Sequence, residues 1–284
     1  MASPRASGPA ISARARITRA RRLPLVGEVL VEEGSRCAAE DVVARAVLPG
    51  DLHPLRVSAA LGVSRGSVER YAVVREGDEV RSGDVVAESR WLLGLARSSV
   101  ESPVDGVVES VSPVTGQVMI RAASSVIEVA AYMDGRAVRV HPGKGVDVEG
   151  EASLVQGIFG VGAEASGRLV RLPVGDGLEI GPEAVTRECS GCVVFAPGRA
   201  STGALRAFRE RGVRGAVVGG VRGDDLIDAA GREINPAATG GEDIGFTLVV
   251  TEGFGDLAMS AGALEVLEGL EGRRVSVSGA TQER

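Results

Sequence analysis

Lysine is all but missing from this chain: Lys144 stands alone against 31 arginines in 284 residues, a bias that reflects GC-rich coding rather than a task. Cysteine is scarce too. Three thiols are too few for a disulfide framework, and with no apolar leader at the start they point to a reducing cytoplasm. The only two histidines, His53 and His141, each precede a proline in a turn (LHP and VHP), which gives little support to a histidine-based acid–base site. Long hydrophobic runs are missing as well. The longest stretch without charge is the twelve residues 152–163, short of the roughly 18–20 that a membrane-spanning helix needs, so no membrane partner is expected.

Acid and base are unevenly placed. Residues 1–22 hold six arginines and no acid, whereas the whole chain has a net charge of −6, so the remainder is more acidic still. Such a body repels phosphate backbones, which makes nucleic acid an unlikely partner. The first 22 residues have the composition of a disordered basic tail.

Glycine is plentiful, with 40 residues, many of them in Gly-Asp pairs between short β-branched runs. That is strand-and-turn grammar, because glycine supplies a positive φ and aspartate caps the turn with its own side chain. The segment VEEGSRCAAEDVVARA at 31–46 aligns without a gap to VREGDEVRSGDVVAES at 74–89, matching Val31/Val74, Gly34/Gly77, Asp41/Asp84, Val42/Val85, Val43/Val86 and Ala44/Ala87. Cys37 falls opposite Val80, which makes it a small buried hydrophobe. The same rhythm returns at 102–120 and 131–150.

The pattern V..GD.V..GD.VAE followed by SPVDGVV resembles the half-motifs of the barrel-sandwich hybrid, the fold of biotinyl and lipoyl carrier domains that is also used in Rnf/Nqr electron-transport subunits. The resemblance covers residues 23–172. It implies a hairpin with a modified lysine at its tip, yet the joining segment SRWLLGLARSS contains none, so no covalent biotin or lipoate is expected. In its place stand Trp91, Leu92, Leu93 and Leu95, an apolar tip of the kind that docks a protein partner.

Two further stretches carry resemblances. LRVSAALGVSRGSVERY at 55–71 resembles the core of a DNA-binding helix-turn-helix, but Pro54 limits its first helix and strand grammar resumes after Tyr71, so a short helical insert is expected. GIFGVGAEASGRL at 157–169 resembles the glycine-rich loop of flavin/NADH-binding subunits, which implies a nucleotide or flavin. The strand-like GRLVRLPV that follows favours a tight β-hairpin instead.

From Cys189 onward the period changes. Apolar runs at 191–196, 215–221, 246–250 and 274–278 alternate with helical segments such as TGALRAFRERG and SAGALEVLEGL, the pattern of a parallel sheet covered on both sides. The expected fold class is α/β plus all-β. A barrel-sandwich hybrid β domain spans 23–180, with its helical insert at 55–71, and a three-layer Rossmann-like parallel sheet spans 186–284. Ligands in such sheets bind beyond the carboxyl ends of the strands. The loops there supply Arg199, Ser201, Thr202, Gly203, Gly220, Thr251, Glu252 and Gly253 as candidate ligand-binding residues, with Arg199 and free N–H groups facing outward toward an anion. No metal set is expected, since Asp224, Asp225 and Glu252 match no ligand spacing. Cys189 and Cys192 lead into a strand rather than a helix, which marks them as incidental thiols.

Residues 23–282 are also similar to an uncharacterised bacterial family associated with the accessory protein of glutamate mutase, through QGIFGVG, VVGGVR, LVVTEGFG and SGATQ. That resemblance implies no activity. The expectation is a non-catalytic cytoplasmic protein for binding or assembly, its β domain docking a protein partner and its α/β domain binding a small anionic or nucleotide ligand. A flavin- or NADH-binding redox subunit and a helix-turn-helix regulator are the alternatives.

Overall fold

The computed structural model describes residues 10–91, 96–174, 178–231 and 243–280, without the side chains at 90–91 and 96–97. Of the expected docking tip, Leu92, Leu93 and Leu95 lie outside the described residues, and Trp91 is described by its backbone alone.

The chain begins with a departure from expectation. Residues 11–22 are a twelve-residue strand, β1 (Ile11–Arg22), and not a disordered tail. Its partner is β13 (Gly145–Val155), paired antiparallel from Ile11↔Val155 to Arg22↔Gly145. The reason lies in two alternations that fit each other. Arginines recur along β1, acids recur at every second position of β13, and the register brings Arg14 to Glu151 at 2.5 Å, Arg16 to Glu149 at 3.5 Å and Arg22 to Asp147. Opposite charges facing each other across a strand pair stabilise it, each by a fraction of a kcal/mol to about 1 kcal/mol. The basic segment and the acidic body are thus two sides of one ladder.

Between these strands lie β2 (Glu28–Val29), β3 (Arg36–Cys37), β4 (Val42–Leu48), β5 (Leu52–Leu55), α1 (Val57–Leu61), α2 (Val68–Tyr71), β6 (Glu79–Val80), β7 (Val85–Trp91), β8 (Ala96–Glu101), β9 (Gly106–Ser112), β10 (Gln117–Ala122), β11 (Ser125–Ala130) and β12 (Gly135–His141). They form small sheets in the orders β1-β13-β12-β3, β5-β10-β9-β6 and β11-β4-β2, plus the hairpin β7-β8. The internal repeat is structural. β3 and β6 occupy matched positions, as do β4 and β7, and Gly34 and Gly77 have φ of 89° and 91°. Asp41 accepts from the backbone N–H of Ala38 at 2.8 Å just as Asp84 accepts from that of Arg81, also at 2.8 Å. Asp134 and Asp105 then accept from the N–H groups of Ala39 and Ser82. Each copy builds its own core: Cys37 and Val43 bury with Ala137 and Val148, and Val80 and Val86 bury with Val108 and Ile120. Burial pushes the Cys37 thiol up from its ordinary value, and the Asp41 charge adds to this.

The helix-turn-helix stretch is absorbed by the second core. α1 and α2 have five and four residues, and Val57 and Val68, fully buried, point into the cluster with Val86 and Val118.

The second half adds β14 (Phe159–Val161), β15 (Glu164–Arg171), β16 (Glu179–Ile180), β17 (Val193–Ala200), α3 (Thr202–Glu210), β18 (Gly215–Val221), α4 (Gly223–Ala230), β19 (Thr247–Phe254), α5 (Ala261–Gly269) and β20 (Arg274–Ser278). The sheet order is β14-β19-β18-β17-β15-β20, with β16 also beside β17. It is mixed: β15, β17, β18 and β19 run parallel, whereas β14 and β20 run antiparallel to their neighbours. Two expectations are corrected here. β14, β15 and β16 belong to this sheet and not to the first domain, and the segment at 157–169 is no hairpin, because β14 pairs with β19 while β15 pairs with β17 and β20.

β17 and β18 are buried at every position, as uniformly apolar strands between two layers must be. β17, β18 and β19 step in one direction, as right-handed crossovers on one face require, and α3 and α4 share a face where Leu205, Phe208 and Leu226 bury. α5 covers the other face through Ala263 and Leu267. β20 crosses that same face, because the first part of β15 pairs with β20 and only its last residues pair with β17. Gly215 makes room for it: a Cβ there would stand 2.5 Å from Val277.

Candidate functional site

The strand edge expected to hold an anion is filled by the protein itself. Arg199, at the end of the fully buried β17, does not face outward. Its side chain is 9% exposed and pairs with Asp225 at 2.6 Å, Asp256 at 2.5 Å and Glu179. Thr202 donates to the other oxygen of Asp225 at 2.6 Å, and Arg222 reaches Asp256 at 2.5 Å. The Arg222 hydrogen bond is the main reason that the Asp256 carboxyl is held below the usual carboxylate range; burial opposes it and Arg199 adds to it. Two guanidinium groups against three carboxylates leave this cluster net negative, the wrong sign for a phosphate.

The remaining candidates are also engaged. Ser201 caps α3 by accepting from the Ala204 N–H at 3.2 Å and donates to the Ile180 carbonyl at 2.8 Å. Gly203 packs on the Pro182 ring, and Thr251 donates to the Val218 carbonyl. Glu252 accepts from the Ser260 N–H at 2.8 Å, at the start of α5. Residues 255–259 lie across the ends of β17 and β18, where the Met259 N–H donates to the Pro197 carbonyl at 2.7 Å and the Gly255 N–H donates to that of Val221 at 2.9 Å. A Cβ on Gly219 would stand 2.6 Å from Leu257 and Pro197 oxygens, and one on Gly220 would meet the Gly255 carbonyl. Gly253, in β19 with a φ of 113°, has only the Ile158 side chain near its Cβ position, whereas Gly219 and Gly220 admit the chain's own backbone. The glycine-rich loop behaves likewise, for Cβ atoms on Gly157, Gly160 and Gly162 would meet Val249, Gly279 and Phe246.

Open space lies elsewhere, on the α5 face of the same sheet. There the β1–β13 ribbon stands away from the sheet and encloses a cleft of about 900 Å³. Its floor is aliphatic, built from Leu169, Val217, Val249 and Val277, with Leu267 and Leu270 of α5 beside them. Ile17 of β1 and Val155 of β13 form the facing wall. Ile158 and Phe159 stand at one end, where Phe159 stacks on the exposed Phe254 with ring centroids 4.5 Å apart.

The ribbon is clamped in place by Arg21. Its buried guanidinium forks onto Glu164 of β15 at 2.7 and 2.6 Å and donates to the Ala130 carbonyl at 2.7 Å. Arg19 and Arg21 both lie over the Tyr132 ring, at 5.6 and 5.3 Å. Burial pushes the Tyr132 phenol up to about 12, while Arg19 and Arg21 act against that rise and Glu164 adds to it.

Charge around the cleft is cationic in an acidic protein. Arg14, Arg19, Arg273 and Arg274 line it, against Glu151 and Asp134. Arg14 is matched by Glu151. Arg274 has the Ser166 hydroxyl at 3.3 Å and Glu40 only at 3.8 Å. The exposed Arg273 guanidinium has no hydrogen-bond or ion-pair partner among the described residues.

None of the eight residues expected at the strand edge lines this cleft; of the stretches singled out in the sequence, the glycine-rich segment 157–169 contributes Gly157, Ile158, Phe159, Gly160 and Leu169, and most of the remaining lining comes from segments without a binding motif. The one legible signal was the alternation of ISARARITRARR opposite that of VDVEGE, which pairs a wall of the cleft. Among the described residues no group of three His, Cys, Asp or Glu side chains is placed to hold a metal, and no helix is long and apolar enough to cross a membrane. A comparison of the chain with protein-family models and with curated proteins finds no match to either.

Proposed function

We propose that this chain is a non-catalytic binding protein that holds a small ligand in the cleft between the β1–β13 ribbon and the α5 face of the mixed sheet. The observation that carries this reading is the cleft itself. Its volume of about 900 Å³ falls in the range of roughly 300–1,000 Å³ typical of ligand pockets, and it sits between two layers joined along one side by Arg21. The first half is read as a variant of the barrel-sandwich hybrid, supported by the matched turns of its two copies, and the second as a Rossmann-like layer. A cytoplasmic location is part of the proposal and rests on three cysteines that are all free and buried.

A thermal-shift screen of metabolites tests the reading. A ligand bound at a hundredfold excess over its Kd stabilises the fold by about 2.7 kcal/mol. At least one hit is expected whose shift disappears in Val249→Trp, which fills the floor. Hits indifferent to that change, or no hit at all, would remove the cleft as the site.

A second reading concerns the hairpin β7–β8. Its strands pair with each other, and apart from one bridge at Ala72↔Ala87 with no other strand among the described residues, while Ser98 and Ser99 are exposed. A hairpin whose strands pair with no other strand among the described residues fits docking of a protein partner through Trp91. Trp91→Ala should then weaken that association by roughly 2 kcal/mol, as loss of an interface anchor does. The sole tryptophan also reports directly, and blue-shifted, unquenchable emission from the isolated monomer would count against docking.

A further inference from the structure

We infer that the ligand of the cleft is a fatty-acid-like amphiphile, with its acyl chain along the aliphatic floor and its carboxylate at Arg273 and Arg274; this rests on the cleft being the binding site. The lining offers partly exposed aliphatic side chains, Ile17, Val155, Val249, Leu270 and Val275, over the buried Leu169, Val217 and Val277, and their attraction for a ligand is the removal of apolar surface from water. Such a surface recognises area and shape, which is what an acyl chain presents. The polar end of the same cleft is cationic although the protein as a whole is at −6.

Arg273 decides the sign of the head group. A guanidinium is a planar fork that matches a carboxylate with two parallel hydrogen bonds, and this one has no partner among the described residues. Arg274, held by one hydroxyl at 3.3 Å and one distant carboxylate at 3.8 Å, is its neighbour in sequence. By contrast, Arg14 and Arg21 are already committed to Glu151 and Glu164. The free positive charge therefore sits where α5 gives way to β20, beside Leu270 and Val275 of the lining, so one molecule can meet the apolar and the cationic elements together.

Displacement of Nile red, a neutral solvatochromic dye, from the full-length protein tests the inference. The dye should bind, and Val249→Trp should abolish its signal. Dodecanoate should then displace it at least about tenfold more effectively than dodecanol, since a hydrogen bond to a charged group contributes on the order of one to two factors of ten. Arg273→Gln should cancel that preference while leaving dodecanol unchanged, and because the Arg273 side chain touches no partner the variant should melt like the parent. Equal displacement by acid and alcohol, or a preference that survives in Arg273→Gln with Arg274→Gln, overturns the acyl-anion assignment and leaves the cleft standing. No dye signal, or a signal indifferent to Val249→Trp, removes the cleft and the inference with it.

Discussion

The carboxyl edge of the parallel strands and the cleft on the α5 face belong to one sheet, yet they treat similar residues in opposite ways. At the edge, Arg199 is surrounded by three carboxylates, and Gly198, Gly219 and Gly220 each receive a stretch of the chain's own backbone. At the cleft, Arg273 is exposed and unpaired among the described residues, and the wall opposite stands clear. Glycines, helix caps and an arginine near strand ends are the raw material of a binding site. The same material also locks a loop onto a sheet. What separates the two outcomes is whether the protein supplies its own counter-charge, and at the edge it does so from three elements, β16, α4 and the connection after β19.

That contrast can be broken most sharply at Arg199. Arg199→Met leaves Glu179, Asp225 and Asp256 facing one another without a cation. Breaking a buried pair costs roughly 3–5 kcal/mol. With Glu179 and Asp256 about half exposed, a loss of about 3 kcal/mol in urea unfolding is expected. Arg273→Gln should leave the same curve unmoved. An Arg199→Met variant that unfolds like the parent would show that the edge is not locked.

The glycines give the next largest effect. A Cβ on Gly198 meets the Leu178 carbonyl, so Gly198→Ala should cost roughly 1–3 kcal/mol through overpacking. Gly223, two residues past the end of β18, has nothing within 4 Å of its Cβ position. There the same substitution should stabilise by roughly 0.4–1 kcal/mol, by narrowing the unfolded ensemble at the start of α4. Melting temperatures moving in opposite directions are the expected result, and a common sign for both would deny that the strand-edge glycines are spacers.

On the cleft side the expected effects are smaller. Glu149→Gln and Glu151→Gln each remove one rung between β13 and β1, and exposed pairs of this kind contribute roughly 0.2–1 kcal/mol. The loss should fade in 1 M salt, where the Debye length is about 3 Å. A deficit independent of salt would assign those residues to packing.

Acid should act on the same ribbon at its other end. Burial works against ionised Asp147, but hydrogen bonds from His141 and Arg22 outweigh it and hold the carboxyl below its ordinary range. A depressed carboxyl contributes stability above its unfolded pKa of about 3.9, and that contribution is lost as the pH falls through the folded value. Asp147→Asn should therefore flatten the acid limb of the stability profile below about pH 4, with no change in slope above it.

Much of the architecture was legible where neighbours in sequence are neighbours in space. The turns at Gly34–Asp41 and Gly77–Asp84 were readable because each closes on its own Asp carboxylate a few residues away. The strands and helices after Cys189 followed from their apolar periods, and their three layers are present. Illegible were the contacts that span the chain. β1 reads as a disordered arm until β13 is set beside it, since five arginines without acids carry no local reason to be extended. β14 and β15 look like one hairpin until the second half supplies β19 and β20 as their separate partners. The cleft was invisible for the same cause: its walls come from residues 13–19, 151–160 and 267–280, none of which predicts the others.

The pairing of β1 with β13 also bears on how the protein is made. Arg14 and its partner Glu151 are 137 residues apart, and a ribosome adds roughly 5–20 residues per second, so the finished β1 waits on the order of ten seconds for its other half to emerge. Through that interval its arginines have no acidic ladder to face, and an unpaired cationic segment stands beside an RNA-rich machine of the opposite charge. Release from the ribosomal surface and closure of the ribbon then become competing events, decided by when Asp147, Glu149 and Glu151 arrive.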